Sequence, residues 1–373
     1  MHDFAVVGAG PAGSRFARRA AEDGYDVVVF ERGEVGTPLA CSGHVSRDLW
    51  SFTPETVPAG FDGGGATPRE ALLQNEIYGA RFHVGGPDSR AYPFYKQEVV
   101  SNVVDRVGLD RLLAAAAEAA GAEIRERHAV TGVSEHDDHV ALTVERPDGT
   151  ETASARMVAG ADGPTSLVRR ELGLPEPDEL LRGVLAFAPE PDHGDRVDVH
   201  LTAPRFFAWR IPRGEAGVEY GLALPPEDDR SVRTMLADLT DGYGVGTERL
   251  RAGPIPVGPP ERVTARRGFL LGDAAAQTKP FTGGGIVYGM TAADHAVSEI
   301  DPAAPATLQA YEQAWRDDLG TEIRLGRWLR RAYSLPEPVQ RVGLRVLSGE
   351  IGVHMDRPTS FFSREHLRRL LSR

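Results

Sequence analysis

"DFAVVGAGPAG" runs from Asp3 to Gly13, and its reading decides the fold. A short apolar strand leads into Gly8, Gly10 and Gly13 in G-x-G-x-x-G spacing, and a stretch rich in Ala and Arg then reads as a helix to Asp23. After Gly24 a second strand, "DVVVF", ends at Glu31. Glycines so placed allow a tight turn and bring the backbone close to a pyrophosphate, which then sits at the positive end of the helix. Glu31 falls about 20 residues further on, where an acid accepts both ribose hydroxyls of an adenosine and disfavours a 2'-phosphate. Strand, helix, second strand and terminal acid together predict a dinucleotide-binding unit suited to FAD or NAD rather than NADP.

The rest of the composition bounds the setting. The chain has 373 residues, 41% hydrophobic and 26% charged, the profile of a globular protein with two cores. Cys41 is the only cysteine, which excludes an intrachain disulfide and a multi-thiolate metal site. The eleven histidines show no metal-ligand spacing, so no metal is expected. A net charge of -12 argues against a nucleic-acid partner. Only Lys96 and Lys279 are lysines among 42 basic residues, an arginine-heavy acidic profile that suits a salty interior or a GC-rich genome. No apolar stretch approaches the ~20 residues that span a bilayer, and Met1 leads directly into a strand, so a cytoplasmic protein is expected.

Two later stretches choose between the dinucleotides. "MVAGADGPTSLVRRELG", Met157 to Gly173, places Asp162 and Gly163 at a strand end, with Ser166 and Arg169 on the helix after it. "GFLLGDAAAQTKPFTGGGI", from Gly268, repeats the logic with Asp273. With the N-terminal glycines these resemble the three fingerprints of the large flavoprotein family typified by aromatic hydroxylases. The resemblance implies FAD, with Asp273 on its ribityl chain and Asp162 in a structural role. The segment after Asp273 must then pass along the isoalloxazine ring, where side chains at Gly283, Gly284 and Gly285 would collide with it. A helix starting near Gly284 points its free N–H groups at N1 and O2 of the ring, which favours the anionic reduced flavin. Arg106 opens the helical stretch "RVGLDRLLAAAAEAAG", and the same resemblance puts an arginine there on the FAD. The cofactor-binding set is Gly8, Gly10, Ala12, Gly13, Glu31, Arg32, Cys41, Ser42, Arg106, Val130, Asp273, Gly283, Gly284, Gly285 and Ile286.

Between these segments the pattern changes. From Glu76 to Phe94, and from Arg182 to Leu224, short alternating strands broken by "GGPDSR" and "PRGEAG" predict an antiparallel sheet. Within it "PRFFAWRIPR", Pro204 to Arg213, is similar to the P-x-x-Y-x-W-x-F-P-K/R motif of the geranylgeranyl reductase family, with Phe207 for Tyr and Ile211 for Phe. "CSGHVS", Cys41 to Ser46, matches that family's C-x-G-x-x-S. The resemblance covers nearly the whole chain. It implies an α/β fold in which a FAD-binding Rossmann-like domain of the aromatic-hydroxylase type is built from 1–75, 98–170 and 262–303. An inserted antiparallel β-sheet substrate domain (76–97 with 171–261) and a C-terminal helical region (304–373) complete it.

The implied activity is FAD-dependent reduction of isolated double bonds in geranylgeranyl chains, most directly those of archaeal ether membrane lipids. Cys41 is the candidate catalytic residue. Phe207, Trp209, Ile211 and Pro212 form the candidate substrate wall, since each buried methylene of a long chain contributes about 0.8 kcal/mol without a directional partner. Phe207 lacks the phenolic hydroxyl of the family's tyrosine. Arg182, Arg205 and Arg213 are placed to meet a phosphate head group or to stand as solvated surface. A second nicotinamide motif is not seen, so electrons come from NAD(P)H bound transiently or from ferredoxin.

Other readings stay open. An aromatic monooxygenase has the same FAD motifs. A flavin halogenase is suggested by "FFAWRIP", close to W-x-W-x-I-P, with Lys96 as its lysine. A non-catalytic prenyl-lipid carrier would retain FAD without turnover. Finally, Thr321 to Arg373 holds eleven arginines against five acids. Arg327, Arg330, Arg331, Arg341 and Arg345 lie there among Leu, Val and Trp328, which predicts amphipathic helices either packed on the acidic body or lying peripherally on the inner face of the membrane, with Trp328 and Phe361–Phe362 inserted.

Overall fold

The computed structural model describes residues 1–37, 41–59, 61, 65–351 and 356–362, apart from the side chains of residues 249, 361 and 362. Its first sheet has a parallel layer centred on β1 (His2–Val7), flanked by β2 (Val27–Glu31) and by the end of β11 (Gly149–Gly160). The strand β8 (Glu123–Glu126) lies outside β2, and β17 (Gly268–Leu270) lies beside β11. The first half of β11 turns instead into an antiparallel meander with β10 (Val140–Arg146) and β9 (Ala129–Glu135). Apolar residues on successive positions of β1 and β2 are all buried, as expected of strands covered on both faces.

Three helices cover one face of this sheet. They are α1 (Pro11–Glu22), α3 (Arg106–Ala119) and α6 (Ile286–Glu299). α1 begins after Gly10 with Pro11 in its first turn, where a missing N–H costs nothing, and buries Ala12, Phe16, Ala17 and Ala20 along one face. Aspartate at 105 caps α3 by accepting from the Val107 amide at 3.1 Å. The short α4 (Leu167–Glu171) follows β11, and the long α7 (Leu308–Arg330) packs on α6.

The second sheet runs β16 (Glu248–Val257), β12 (Glu179–Ala188), β15 (Val218–Leu224), β14 (Ala208–Pro212), β13 (Arg196–His200), β5 (Gly79–His83), β6 (Ala91–Tyr95), β18 (Gly349–Glu350). It is mixed rather than wholly antiparallel, because β13 pairs parallel with β5 and β18 parallel with β6. No hairpin joins either pair, so no tight turn imposes the antiparallel direction. β18 also lies within the stretch expected to be helical. It follows α8 (Glu337–Leu347) and returns the chain to the sheet edge.

The alternation of β15 sorts the two faces of this sheet. Val218, Tyr220, Leu222 and Leu224 pack with Leu236 and Leu239 of α5 (Val232–Gly242). Glu219 and Ala223 point the other way, toward a cluster of Phe206, Phe207, Ile211, Leu181 and Val257. A third, antiparallel sheet joins β3 (His44–Ser46), β7 (Ser101–Val104) and β4 (Leu73–Ile77), with α2 (Pro68–Leu72) leading into β4. It sits between the two larger sheets, since Val103 and Ile77 join the Phe206 cluster while Val104 joins the core under α3.

Candidate active site

At the N-terminus the glycine turn is braced by its own acid. Glu31 accepts from the Ala9 amide at 2.9 Å and from the Gly33 amide at 3.1 Å, so its carboxylate stands directly over the turn. Gly8 has φ +99, and a Cβ on Gly13 would run into the Gly8 carbonyl oxygen, which fixes two of the three fingerprint glycines sterically. Gly10 has nothing within 4 Å of where its Cβ would be, so its side faces open space. Ala12 is buried against Gly272 and Gly289. Arg32 is exposed beyond β2, and Val130 is half-buried on the central core.

The other two fingerprints meet this turn. Asp162 accepts from Ser166 Oγ at 2.5 Å and from the Leu167 and Val168 amides at 2.7 and 3.1 Å, so it braces the start of α4 beside its N-cap, Ser166. The fully buried Arg169 donates to the Ala274 carbonyl at 3.0 Å and so ties α4 to the segment carrying Asp273. Asp273 keeps an edge open, yet surrounding protein raises its carboxyl to about 6, against the opposing charge of Arg106. A Cβ on Gly285 would lie 2.7 Å from Asp273 Oδ1.

α6 starts at Ile286 with Gly285 at its N-cap and no side-chain cap. The Gly285 and Ile286 amides have no acceptor among the described residues. Gly283, just before, offers no free amide: its N–H donates to the Lys279 carbonyl at 2.8 Å, inside the loop. Gly284 donates only weakly, to Thr282 Oγ1 at 3.4 Å. The loop also carries a buried ion pair, Lys279 Nζ to Asp356 Oδ1 at 2.5 Å.

The Cys41 loop is anchored from the second sheet. Arg213 is buried and donates to the carbonyls of Ser42 and of Val104 (3.2 Å), to Gln74 Oε1 (2.7 Å) and to Glu219 Oε2 (3.0 Å). Glu219 is wholly buried and also accepts from Trp209 Nε1 at 2.9 Å. Burial raises the Glu219 carboxyl, opposed by Arg213 and Trp209. The Cys41 side chain lies beside Arg106, whose guanidinium pairs with Asp110. Burial opposes the charge on Arg106, but Asp110 and then Cys41 hold its pKa above the ordinary value. A groove of about 350 Å³ opens here, lined by Cys41, Arg106, Arg213, Phe187 and Pro189 among others. Two residues beyond Ser42, His44 is held near 4 by burial and then by the charges of Lys279 and Arg213, and its Nε2 lies 2.6 Å from Ser101 Oγ.

The aromatic motif is distributed over these contacts. Phe207 and Ile211 are buried in the cluster that backs the glycine loop, and Tyr333 meets Phe207 edge-on at 5.7 Å. Trp209 lies across Gly221 with its N–H on Glu219, and the Pro212 carbonyl accepts from Asn75 at 3.0 Å. Phe206, not singled out in the sequence, stacks on Phe207 at 4.4 Å and meets Gly283, whose Cβ would be 3.2 Å from it. Of the arginines set toward a phosphate, none stands as solvated surface without a partner. Arg205 pairs with Glu179 at 2.7 Å and with Glu227, Arg182 donates to the Asp228 carbonyl, and Arg213 is consumed as described. Lys96 stands past β6 with its ammonium 3.8 Å from Glu98. Glu219, Lys279 and Asp356 were not legible as site-side residues, because only strand register and the return of the C-terminal segment bring them here.

A family model described as an FAD binding domain matches residues 79–235, and one described as an NAD(P)-binding Rossmann-like domain matches residues 6–47. Digeranylgeranylglycerophospholipid reductase 1 of Methanopyrus kandleri is 31% identical over 368 residues, covering 90% of this chain and 91% of that protein. The chain belongs to the digeranylgeranylglycerophospholipid reductase family. A second such reductase, from Methanothermobacter thermautotrophicus, is 30% identical and covers 86% of this chain and 84% of its own. FAD is therefore the cofactor of this family member, an oxidoreductase. In fold it is similar to a geranylgeranyl bacteriochlorophyll reductase-like protein of Thermoplasma acidophilum, at TM-score 0.84 and 22% identity over 100% of this chain and 96% of that one. The chain is also similar in fold to the flavin-dependent halogenase CmlS, at TM-score 0.69 and 20% identity over 99% of this chain and 76% of that one.

Proposed function

We propose that the protein saturates isolated C=C bonds of geranylgeranyl chains, first of all those carried by membrane ether glycerophospholipids. The observation that carries this reading is kinship at 31% identity, across nine-tenths of both chains, with a protein named for that reduction. The residues present fit FAD: a glycine turn with Gly10 open to a ligand, Glu31 above it, a partly open Asp273 carboxylate, and the unpaired Gly285 and Ile286 amides at the start of α6. In this reading Gly8 to Gly13 and Glu31 hold the adenosine diphosphate, Asp273 the ribityl chain, and α6 the pyrimidine edge of the ring.

When bound and reduced, FAD supplies a hydride equivalent. An isolated alkene has no carbonyl to store negative charge, so a proton must reach the second carbon with or ahead of that hydride. Cys41 Sγ, beside the Arg106 guanidinium at the groove, is the group placed to deliver that proton. The Phe206, Phe207 and Ile211 cluster keeps water from the loop side and gives an apolar chain a surface needing no directional partner. NAD(P)H or ferredoxin is the electron donor, and the protein works in the cytoplasm at the inner face of the membrane that holds its substrate.

The test is anaerobic. Purified protein reduced with dithionite is given a geranylgeranyl glycerolipid, and the lipid is weighed by mass spectrometry. Mass gained in steps of two hydrogens is the expected result. An unchanged lipid mass overturns the reading and leaves a carrier, whereas oxygen consumption with NADPH and a phenol points to a monooxygenase.

A further inference from the structure

Of the seven large hydrophobic residues exposed among those described, five fall between Trp328 and Val346: Trp328 (60% exposed), Leu335, Val339, Val342 (63%) and Val346 (67%). They are not scattered. On α8 the three valines lie within a sector of about 60° at 100° per residue. Gln340, Leu344 and Leu347, more enclosed, occupy the opposite side, and Gln340 Nε2 donates to the Tyr333 carbonyl at 3.0 Å. Arg341 and Arg345 lie along the outer flank of the valine strip. Arg341 pairs with Glu337 at 2.9 Å, whereas Arg331 and Arg345 are exposed and form no ion pair among the described residues. In a chain whose net charge is -12, this is a local excess of positive charge around an uncovered apolar strip.

The strip also has a fixed relation to the site. Just before α8, Tyr333 donates from its hydroxyl to the Phe281 carbonyl at 2.8 Å and meets Phe207. Just after α8, Gly349 and Glu350 pair with β6. The helix is thus anchored at both ends to the elements that build the glycine loop and the substrate sheet, and its outer face is exposed.

We infer that this outer face is a docking surface for an anionic lipid bilayer, with Val339, Val342 and Val346 entering the headgroup boundary and Arg331 and Arg345 meeting lipid phosphates. The inference rests on the lipid-reductase reading, since a substrate chain anchored in a bilayer must leave it next to the site that reduces it. Apolar insertion supplies binding that salt does not screen, and the arginines select the charge of the surface. Trp328, at the end of α7, has the amphipathic ring that settles at such a boundary. No helix of the described residues is long and apolar enough to cross a membrane. The side chains of Phe361 and Phe362, expected to insert as well, lie outside the described residues.

The FAD-loaded full-length protein is floated with vesicles of phosphatidylglycerol mixed with phosphatidylcholine, and with vesicles of phosphatidylcholine alone. The wild type binds the anionic vesicles and favours them over the neutral ones. The Val342→Glu/Val346→Glu variant loses roughly tenfold or more in partitioning, and Arg331→Glu/Arg345→Glu loses the preference for anionic lipid. Both variants keep dithionite-driven reduction of detergent-dispersed geranylgeranyl lipid and the wild-type sedimentation coefficient. Wild type that ignores anionic vesicles, or a valine variant that binds like wild type, overturns the docking surface. A variant that instead changes oligomeric state shows that a second copy covers the strip and overturns it too. Vesicle binding by a protein that never reduces the lipid would sink the reductase reading while leaving the surface standing.

Discussion

Glu219 shows what a single residue contributes. In sequence it is one acid in a strand, "VEYGLAL", whose other positions are apolar or glycine apart from Tyr220. In the fold it is diagonal to Trp209 across the β14–β15 ladder and is wholly buried, so it unites the tryptophan and the terminal arginine of the aromatic motif. Arg213 then fixes the Ser42 and Val104 carbonyls, one beside Cys41 and one just before Arg106. This role was hidden in the sequence, where Arg213 reads equally as surface or phosphate ligand, because its burial depends on Ser42, Gln74 and Val104, which come from distant parts of the chain. Glu219→Ala leaves a buried guanidinium without its carboxylate, a loss of about 3 kcal/mol. The Cys41 loop should loosen with it. Because Cys41 is the only cysteine, its rate of labelling by a thiol reagent reports that directly. Severalfold faster labelling in Glu219→Ala, partly restored in Glu219→Gln, is expected; unchanged labelling means that the loop is held by other contacts.

Among the elements, the N-terminus of α6 was the most legible, though only in outline. Three consecutive glycines before a helical pattern predict a backbone surface, but they do not say which amides are free. The structure divides the three. Gly283, at φ +74, is spent on a turn; Gly284 faces the ion-paired end of Lys279; Gly285 abuts Asp273 and Thr278. Their substitutions should therefore differ. Gly285→Ala places a methyl 2.7 Å from Asp273 Oδ1 and 3.0 Å from Thr278 Cγ2, so it must push the carboxylate away from its position. FAD affinity, followed by quenching of flavin fluorescence, should fall roughly tenfold or more, at least 1.4 kcal/mol. Gly284→Ala meets the Lys279 Cε at 3.0 Å and Thr282 Oγ1 at 3.6 Å and leaves Asp273 untouched, so its affinity should fall clearly less than that of Gly285→Ala. Equal losses in both would show that the ring, not Asp273, is what the glycines avoid. Local motifs such as this one carry their geometry with them. The parallel β5–β13 pair does not, because no turn chemistry connects strands separated by more than a hundred residues.

At the scale of the whole molecule, the candidate FAD contacts come from segments near residues 8–13, 31, 106 and 273–286, which the first sheet and the packing of α1 on α3 and α6 bring together. Binding to the folded state alone then stabilises the whole by mass action. Asp273 adds a pH dependence with a definite sign. Its carboxyl stands at about 6 in the cofactor-free fold, above the ~3.9 of an unfolded chain. Folding therefore favours the protonated acid, and this contribution is complete below about pH 4 and lost as pH rises through 6. With allowance for its open edge, the loss is on the order of 1 kcal/mol, or roughly 2 °C in melting temperature. Asp273→Asn should accordingly melt above the cofactor-free wild type at pH 8, match it at pH 4, and hold FAD less tightly because an amide is a poorer acceptor than a carboxylate. Scanning fluorimetry of both proteins across that pH range, with and without FAD, reads all three outcomes. A cofactor-free variant that melts below wild type at pH 8 would mean that Asp273 holds the fold together rather than waiting, at some cost to it, for the ribityl chain.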